Sequence, residues 1–231
     1  NASLLRARLF SKYLGISPIL VTAKYNNHLL LRIEELIKEK LINSNISILN
    51  PYVYYQKTDE GKKQTTNLTI NSNWKAINVA NTYDYRIYDN NGKLMIYRVC
   101  DKKGNLNYNN IFHNGKKIRR DYYDHNGYLS KIQYLDFDTG HPIFQTYYTI
   151  YGKICMHKYY KIVGNKNVLE KIHLVNDNGF IENSFNSEDD FLSFWLQEII
   201  PNNENVYLII DKERIYYPII KKWNSNKRKV L

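Results

Sequence analysis

Eight glycines between residues 92 and 179 recur at nearly constant spacing, and this limits the fold more than any other feature of the chain. Gly92, Gly104, Gly115, Gly127, Gly140, Gly152, Gly164 and Gly179 stand 12, 11, 12, 13, 12, 12 and 15 residues apart. Several follow a turn-forming neighbour: Asn91-Gly92, Asn114-Gly115, Asn126-Gly127, Thr139-Gly140 and Asn178-Gly179. Asn-Gly accepts the two positive φ values of a type I′ turn, so each pair predicts a tight hairpin reversal. A reversal every ~12 residues leaves roughly eight per strand, which describes an antiparallel meander.

The strands do not alternate cleanly. Along 129–137, Leu129, Lys131, Gln133, Leu135 and Phe137 share one face, and Ile132 and Tyr134 take the other, with Tyr128 just before. A sheet packed on a large core has one frankly apolar face. Mixed faces predict a sheet partly exposed on both sides and covered by amphipathic tyrosine rings. Of the 22 tyrosines, 14 lie between Tyr83 and Tyr160, so the sheet reads as a broad aromatic platform that meets a partner.

The flanks have a different period. Leu5, Leu9 and Tyr13 share a helical face, Gly15 stops that helix, and Pro18–Thr22 is a short run of buried-strand type. A second helix is predicted from His28 to Ile42, with Leu30, Ile33, Ile37 and Leu41 in one stripe and Glu34–Lys38 at i,i+4. After Gly179, Ser187 with Asp190 three residues on starts a third helix, striped by Phe191, Trp195 and Ile199 and ended by Pro201. Val206–Asp211 then reads as a buried strand, and Lys229-Val230-Leu231 as the start of another. Asp211 either faces a cleft at a strand end or caps a turn. The fold class is therefore α+β: a partial Rossmann-like α/β layer with an inserted antiparallel β-meander sheet. Its expected parts are 3–50 (α/β), 51–182 (meander, opening on a polar loop or weak hairpin over 58–72) and 183–231 (return to α/β).

The net charge is +11, which favours polyanions: nucleic acid, anionic lipid or a phosphate-bearing polymer. From Lys93 to Tyr134 nine basic residues face three acids, and the sharpest cluster is Lys116-Lys117-Ile118-Arg119-Arg120, with Tyr122 and Tyr123 beside it. These six, Lys116, Lys117, Arg119, Arg120, Tyr122 and Tyr123, are the candidate acceptor-binding residues. They read either as a surface that tracks phosphates or as an exposed edge kept soluble by lysine. Charge alone raises nucleic acid, and no motif supports it. Neither GxGxxG nor GxxxxGK[ST] occurs, and the six histidines lack metal-ligand spacing, so no metal is expected. Two cysteines and no secretory or 20-residue apolar segment point to a reducing cytoplasm. Asn1-Ala2 reads as a cloning remnant, and the absence of an initiator Met predicts a piece of a longer protein.

The stretch ASLLRARLFSKYLGISPILVTAKYN (2–26) resembles the N-terminal domain of bacterial GT-B glycosyltransferases (family 4-like), in which a helix leads into a strand ending in Val-Thr. The Tyr-Asp-Gly meander of 83–180 is similar to the sheet inserted in one branch of them, and SEDDFLSFWLQEII and NVYLIID follow in the same order. That branch holds the poly(glycerol- or ribitol-phosphate) α-glycosyltransferases of wall teichoic acid and the accessory-Sec enzymes that glycosylate serine-rich adhesins. The resemblance implies a retaining, metal-independent transferase with a UDP-sugar donor and no other cofactor. It also implies catalytic groups outside these 231 residues, so none is assigned within them and the chain alone is expected to be inactive. An anionic polyol-phosphate polymer or a Ser/Thr-rich protein would be the acceptor. The inserted sheet would serve acceptor binding, homo-oligomerisation or docking of a partner subunit, in the cytoplasm or peripherally at the inner face of the membrane.

Overall fold

The computed structural model describes residues 2–57, 64, 70–200, 207–209, 217, 219–221 and 229–230. They fall into two compact units. One gathers 1–25, 32–54 and 185–231, and the other gathers 26–31 and 55–184.

The first unit opens with α1 (Ala2–Leu14), β1 (Ile19–Val21), α2 (Leu29–Lys38, whose first turn belongs to the second unit), β2 (Ser47–Leu49) and α3 (Pro51–Gln56). Gly15 stops α1 at φ +63°, a conformation that costs glycine least. β1 and β2 pair in parallel, Ile19 with Ser47 and Val21 with Leu49. Ala7, Leu36, Ile42 and Ile46 form the core, with Leu4, Leu20, Ile33 and Ile48 packed against it. This corrects the predicted helix faces. Ala7 lets α1 approach closely, so Leu4 and Ala7 turn inward and Leu5, Leu9 and Tyr13 lie exposed. In α2 the buried residue is Leu36, Ile33 of the predicted stripe packs against the core, and Leu30 and Ile37 are exposed. The helix ends at Lys38, short of the predicted Ile42, so exposed Leu41 lies beyond it, and Arg32 pairs with Glu35.

Buried Asn50 organises the next turn. It donates to the Thr22 and Lys24 carbonyls at 3.1 and 2.9 Å, and its Oδ1 accepts from the amides of Tyr52 and Val53, capping α3. Farther along the chain, the hydroxyl of Ser187 accepts from the Asp190 amide at 3.1 Å and starts a helix over Glu188–Ile199. Ile200 is extended, as the residue before a proline is pressed to be. Phe191 and Trp195 are fully buried in that helix, each contributing about 2–3 kcal/mol, and Tyr52 donates to Glu188 at 2.8 Å. Asp211 lies outside the described residues, as do most positions of the predicted polar loop and of the basic tail.

The second unit is one ten-stranded antiparallel sheet whose strands pair strictly in chain order. They are β3 (Lys75–Asn78), β4 (Tyr85–Tyr88), β5 (Leu94–Cys100), β6 (Leu106–His113), β7 (Lys116–Tyr123), β8 (Leu129–Leu135), β9 (Pro142–Tyr148), β10 (Ile154–Val163), β11 (Lys166–Val175) and β12 (Ile181–Phe185). The helix over Glu188–Ile199 is α4, and β13 (Tyr207–Leu208) pairs in parallel with β14 (Lys229–Val230) in a separate two-stranded sheet. The meander begins one strand earlier than the aromatic pattern predicts, because β3 is short and wholly exposed.

All eight glycines of the ladder have positive φ. The turns, however, are mostly not type I′. Only Asn114 (φ 48°) and Gly115 (φ 76°) form the double left-handed pair, closing His113 onto Lys116. At the other Asn-Gly steps only the glycine is left-handed, because an Asp or Asn three residues earlier captures the turn. Asp89 Oδ1 accepts from the amides of Asn91 and Lys93, Asp101 from Lys103 and Asn105, Asp124 from Asn126 and Tyr128, and Asn176 from Asn178 and Phe180. Thr149 Oγ1 does the same for Tyr151 and Lys153. The repeat is Asx-x-x-Gly, a three-residue reversal with a glycine bulge.

Cross-strand register assigns side chains to the two faces, since directly opposed residues point the same way. One face of the central strands carries Tyr108, Asn110, Arg120, Tyr122, Lys131, Gln133, Gln145, Tyr147, Met156, Lys158, Ile172 and Leu174. From β8 to β11 this face is almost entirely buried, which corrects the expectation of two half-exposed faces. Its polar groups are tolerated because they bond one another: Gln145 donates to Gln133 at 2.9 Å and accepts from Tyr147 at 2.7 Å and Tyr160 at 3.1 Å. The opposite face carries Arg119, Asp121, Ile132, Tyr134, Phe144, Thr146, His157, Tyr159, Lys171 and His173.

Candidate functional site

Strand β7 carries all six predicted acceptor residues, and the alternation of the strand divides them. Lys116, Arg119 and Tyr123 go to one face, and Lys117, Arg120 and Tyr122 go to the other, with the irregularity at Ile118 bringing Lys117 to the side of Arg120. The six therefore do not form one surface.

On the buried-face side, Arg120 is fixed by three contacts. Its Nε donates to Asn110 Oδ1 at 2.7 Å, and its guanidinium lies 4.5 Å from the centre of the Tyr108 ring and 5.7 Å from that of Tyr122. Lys131 enters from β8 with Nζ 4.0 Å above the Tyr122 ring and 5.7 Å from Tyr147. Lys131 is only 6% exposed. Burial, then the charges of Lys158 and Arg120, push its ammonium down to about 7. Lys131 counts as a surface cation in the sequence, but it belongs to the interior. Lys117 is half-buried, and burial followed by Arg120 lowers it as well.

On the other side, Arg119 is held by Asp121, with Nε 2.9 Å from Oδ1 and Nη2 donating to Oδ2 at 2.9 Å. Burial raises the Asp121 carboxyl, and Arg119 offsets part of that rise. Tyr123 is pushed up by burial and then by the Asp121 charge, and its hydroxyl accepts from Asn109 at 3.4 Å. Lys116 is exposed, 3.1 Å from Asp138 and 4.4 Å from the centre of the Phe137 ring. Of the six residues, Lys116 and Lys117 offer the most available positive charge at the Asn114-Gly115 end of the sheet.

Sequence reading misses Tyr108, Asn110, Lys131 and Tyr147 as neighbours of the cluster. The ladder pairs the strands but does not give this register. Counting outward from the turns sets Tyr108 opposite Asp121, Tyr122 opposite Ser130 and Lys131 opposite Thr146. A bulge in each hairpin shifts the pairs by one residue, bringing Tyr108 and Lys131 opposite Tyr122 and Tyr147 opposite Lys131. Among the described residues, no three His, Cys, Asp or Glu side chains gather where they could hold a metal ion, and no helix is long and apolar enough to cross a membrane.

No protein-family model matches the sequence, and no curated protein matches it. Solved structures do. Staphylococcus aureus TarM, in complex with fondaparinux, α-GlcNAc-glycerol and UDP, superposes with a TM-score of 0.76 at 16% identity, over 98% of this chain and 45% of TarM. The glycosylation-associated Gap123 complex of Streptococcus agalactiae matches with a TM-score of 0.69 at 17% identity, over 99% of this chain and 44% of its own. The GtfA/B complex bound to UDP and GlcNAc gives 0.60 at 14% identity, over 92% and 49%. The chain spans less than half the length of each. Its discontinuous α/β unit and ten-stranded meander thus share the fold of a part of TarM, of Gap123 and of the GtfA/B complex.

Proposed function

We propose that this chain is the N-terminal, acceptor-side part of a retaining, UDP-sugar-dependent glycosyltransferase, a poly(glycerol- or ribitol-phosphate) α-glycosyltransferase of wall teichoic acid. The observation that carries this reading is the agreement with TarM along nearly the whole chain, meander included. The basic ends of the meander and the net charge of +11 suit an anionic polymer. Donor binding and catalysis belong to segments outside these residues, and no metal is invoked. The 231 residues alone are therefore inactive. The enzyme works in the cytoplasm, peripherally at the inner face of the membrane.

A second reading has its own support in the Gap123 and GtfA/B likenesses. Here the chain belongs to an enzyme, or to its non-catalytic partner subunit, that modifies a serine-rich protein, and the sheet joins copies or subunits. The test is product chemistry. The full-length protein is incubated with UDP-sugars and either poly(ribitol phosphate), poly(glycerol phosphate) or a Ser/Thr-rich peptide, and products are read by mass spectrometry. Sugar on the polymer supports the first reading, and sugar on the peptide alone replaces it with the second.

A further inference from the structure

The face of β8–β11 opposite the buried one carries a ladder of rings that the β7 cluster does not explain. One register line runs Arg119, Tyr134, Phe144, Tyr159, Lys171 across five consecutive strands, and the next runs Asp121, Ile132, Thr146, His157, His173. Ring centres lie 5.8 Å apart for Tyr134–Phe144, 5.2 Å for Phe144–His157, 5.0 Å for Phe144–Tyr159 and 5.1 Å for Tyr159–His173. The first two pairs are inclined by only 29° and 25°. Rings so close and so nearly parallel cannot lie side by side. Tyr134, Phe144 and His157 form an offset stack, Tyr159 is tilted by 44° to Phe144 and stands edge-on to His173 at 61°, and Tyr134 is 36% exposed.

Rings stacked on their faces leave their edges free, and those edges carry the positive end of the ring quadrupole. Hydroxyls of Tyr134 and Tyr159 add hydrogen-bonding groups, as do the Nε2 atoms of His157 and His173, since His157 Nδ1 is engaged with Thr146 Oγ1 at 3.2 Å and His173 Nδ1 is buried. Burial holds both imidazoles below the usual histidine range, so at neutral pH each is uncharged and keeps one N–H. Lys161, Lys166 and Lys171 share this face. The carboxylates among its described residues are spoken for: Asp121 by Arg119 at 2.9 Å, and the bulged Glu170 by Lys161 at 4.0 Å. The result is a ridge of positive edges and donors, repeating at the strand spacing of ~4.8 Å.

We infer that this ridge is the track along which an anionic polyol-phosphate chain lies, its hydroxyls and phosphates meeting the Tyr134–Phe144–Tyr159 edges, His157, His173 and Lys171. The inference rests on the polymer reading of the function and assigns that polymer to a face other than the one holding Arg120 and Tyr122.

The test is binding of the full-length protein to poly(glycerol phosphate) and poly(ribitol phosphate), with single-stranded DNA of equal charge as comparator. Tyr159→Ala with Lys171→Gln should weaken polymer binding about tenfold, and Tyr159→Phe, which keeps the packing, about threefold, with far-UV circular dichroism unchanged. Wild type that binds polymer while both variants bind it equally well overturns the track and leaves the function reading standing. Wild type that binds neither polymer removes both. Equal affinity and equal loss for DNA reduces the ridge to unspecific charge, and a changed sedimentation coefficient with unchanged polymer affinity makes it an interface between copies. Each of these last two also overturns the inference.

Discussion

Replacing Lys131 by Met should make the protein more stable at acid and neutral pH than in alkali, relative to the native chain. Lys131 sits 6% exposed between Tyr122 and Tyr147, on the same face as Lys158 and Arg120. Its ammonium is pushed from 10.5 to about 7, first by burial and then by those two cations. A base whose folded pKa is depressed gives its full share of stability above the unfolded value, and loses it as pH falls through the folded one. A span of about 3.5 pH units at about 1.4 kcal/mol each gives about 5 kcal/mol in all, of which about 3 kcal/mol falls between pH 9.5 and pH 6. Methionine keeps an apolar stem against the Tyr122 ring and has no proton to lose. Urea denaturation followed by circular dichroism, run on both proteins at pH 6 and pH 9.5, reads the difference directly. The native chain should lose about 3 kcal/mol relative to Lys131→Met on going to pH 6. An offset that is the same at both pH values, within about 0.5 kcal/mol, would refute the buried, charge-crowded placement of Lys131.

Two further substitutions probe local structure. Ser187→Ala removes the acceptor for the Asp190 amide and should cost about 1 kcal/mol in urea denaturation, whereas Ser187→Asn should cost much less. Gly92 has φ +75° and open space around its Cα, so Gly92→Val should destabilise by more than 1 kcal/mol, in the range of about 1–2 kcal/mol, while Gly92→Asn stays within about 1 kcal/mol of the native chain. Equal costs for the two would mean that packing, rather than backbone conformation, fixes this turn.

The meander was legible because each reversal is local chemistry. A left-handed glycine after Asn or Asp can be read from a few residues, and the strand pattern follows from the spacing. What the reading mistook was the agent of the turn: the Asp89, Asp124 and Asn176 side chains, each accepting two backbone amides, outcompete the type I′ geometry that Asn-Gly alone would take. The helix faces were less legible. Leu5, Leu9 and Tyr13 make a better apolar stripe than Leu4 and Ala7, but close approach of α1 to its core selects the small residue. The β7 cluster was legible as charge and not as geometry. Its residues are consecutive, so the period of two sends them to opposite faces, and their partners come from strands fixed only by register. The aromatic ladder lies wholly in that register: Tyr134, Phe144, Tyr159 and His173 become neighbours only once the strands are aligned.

The central claim is that this sheet holds an anionic acceptor, and the salt dependence of acceptor affinity tests it most directly. The measurement is the acceptor KM of the full-length protein on polyol-phosphate polymer, from about 50 to 200 mM salt, for the native protein and for Lys116→Ala, Lys117→Ala, Arg119→Ala and Arg120→Ala combined. The account predicts a higher KM and a flatter slope of log KM against log salt in the variant, with exposed Lys116 supplying most of the change, because Arg119 is held by Asp121 and Lys117 and Arg120 stand on the other face. An unchanged KM and an unchanged slope would contradict it.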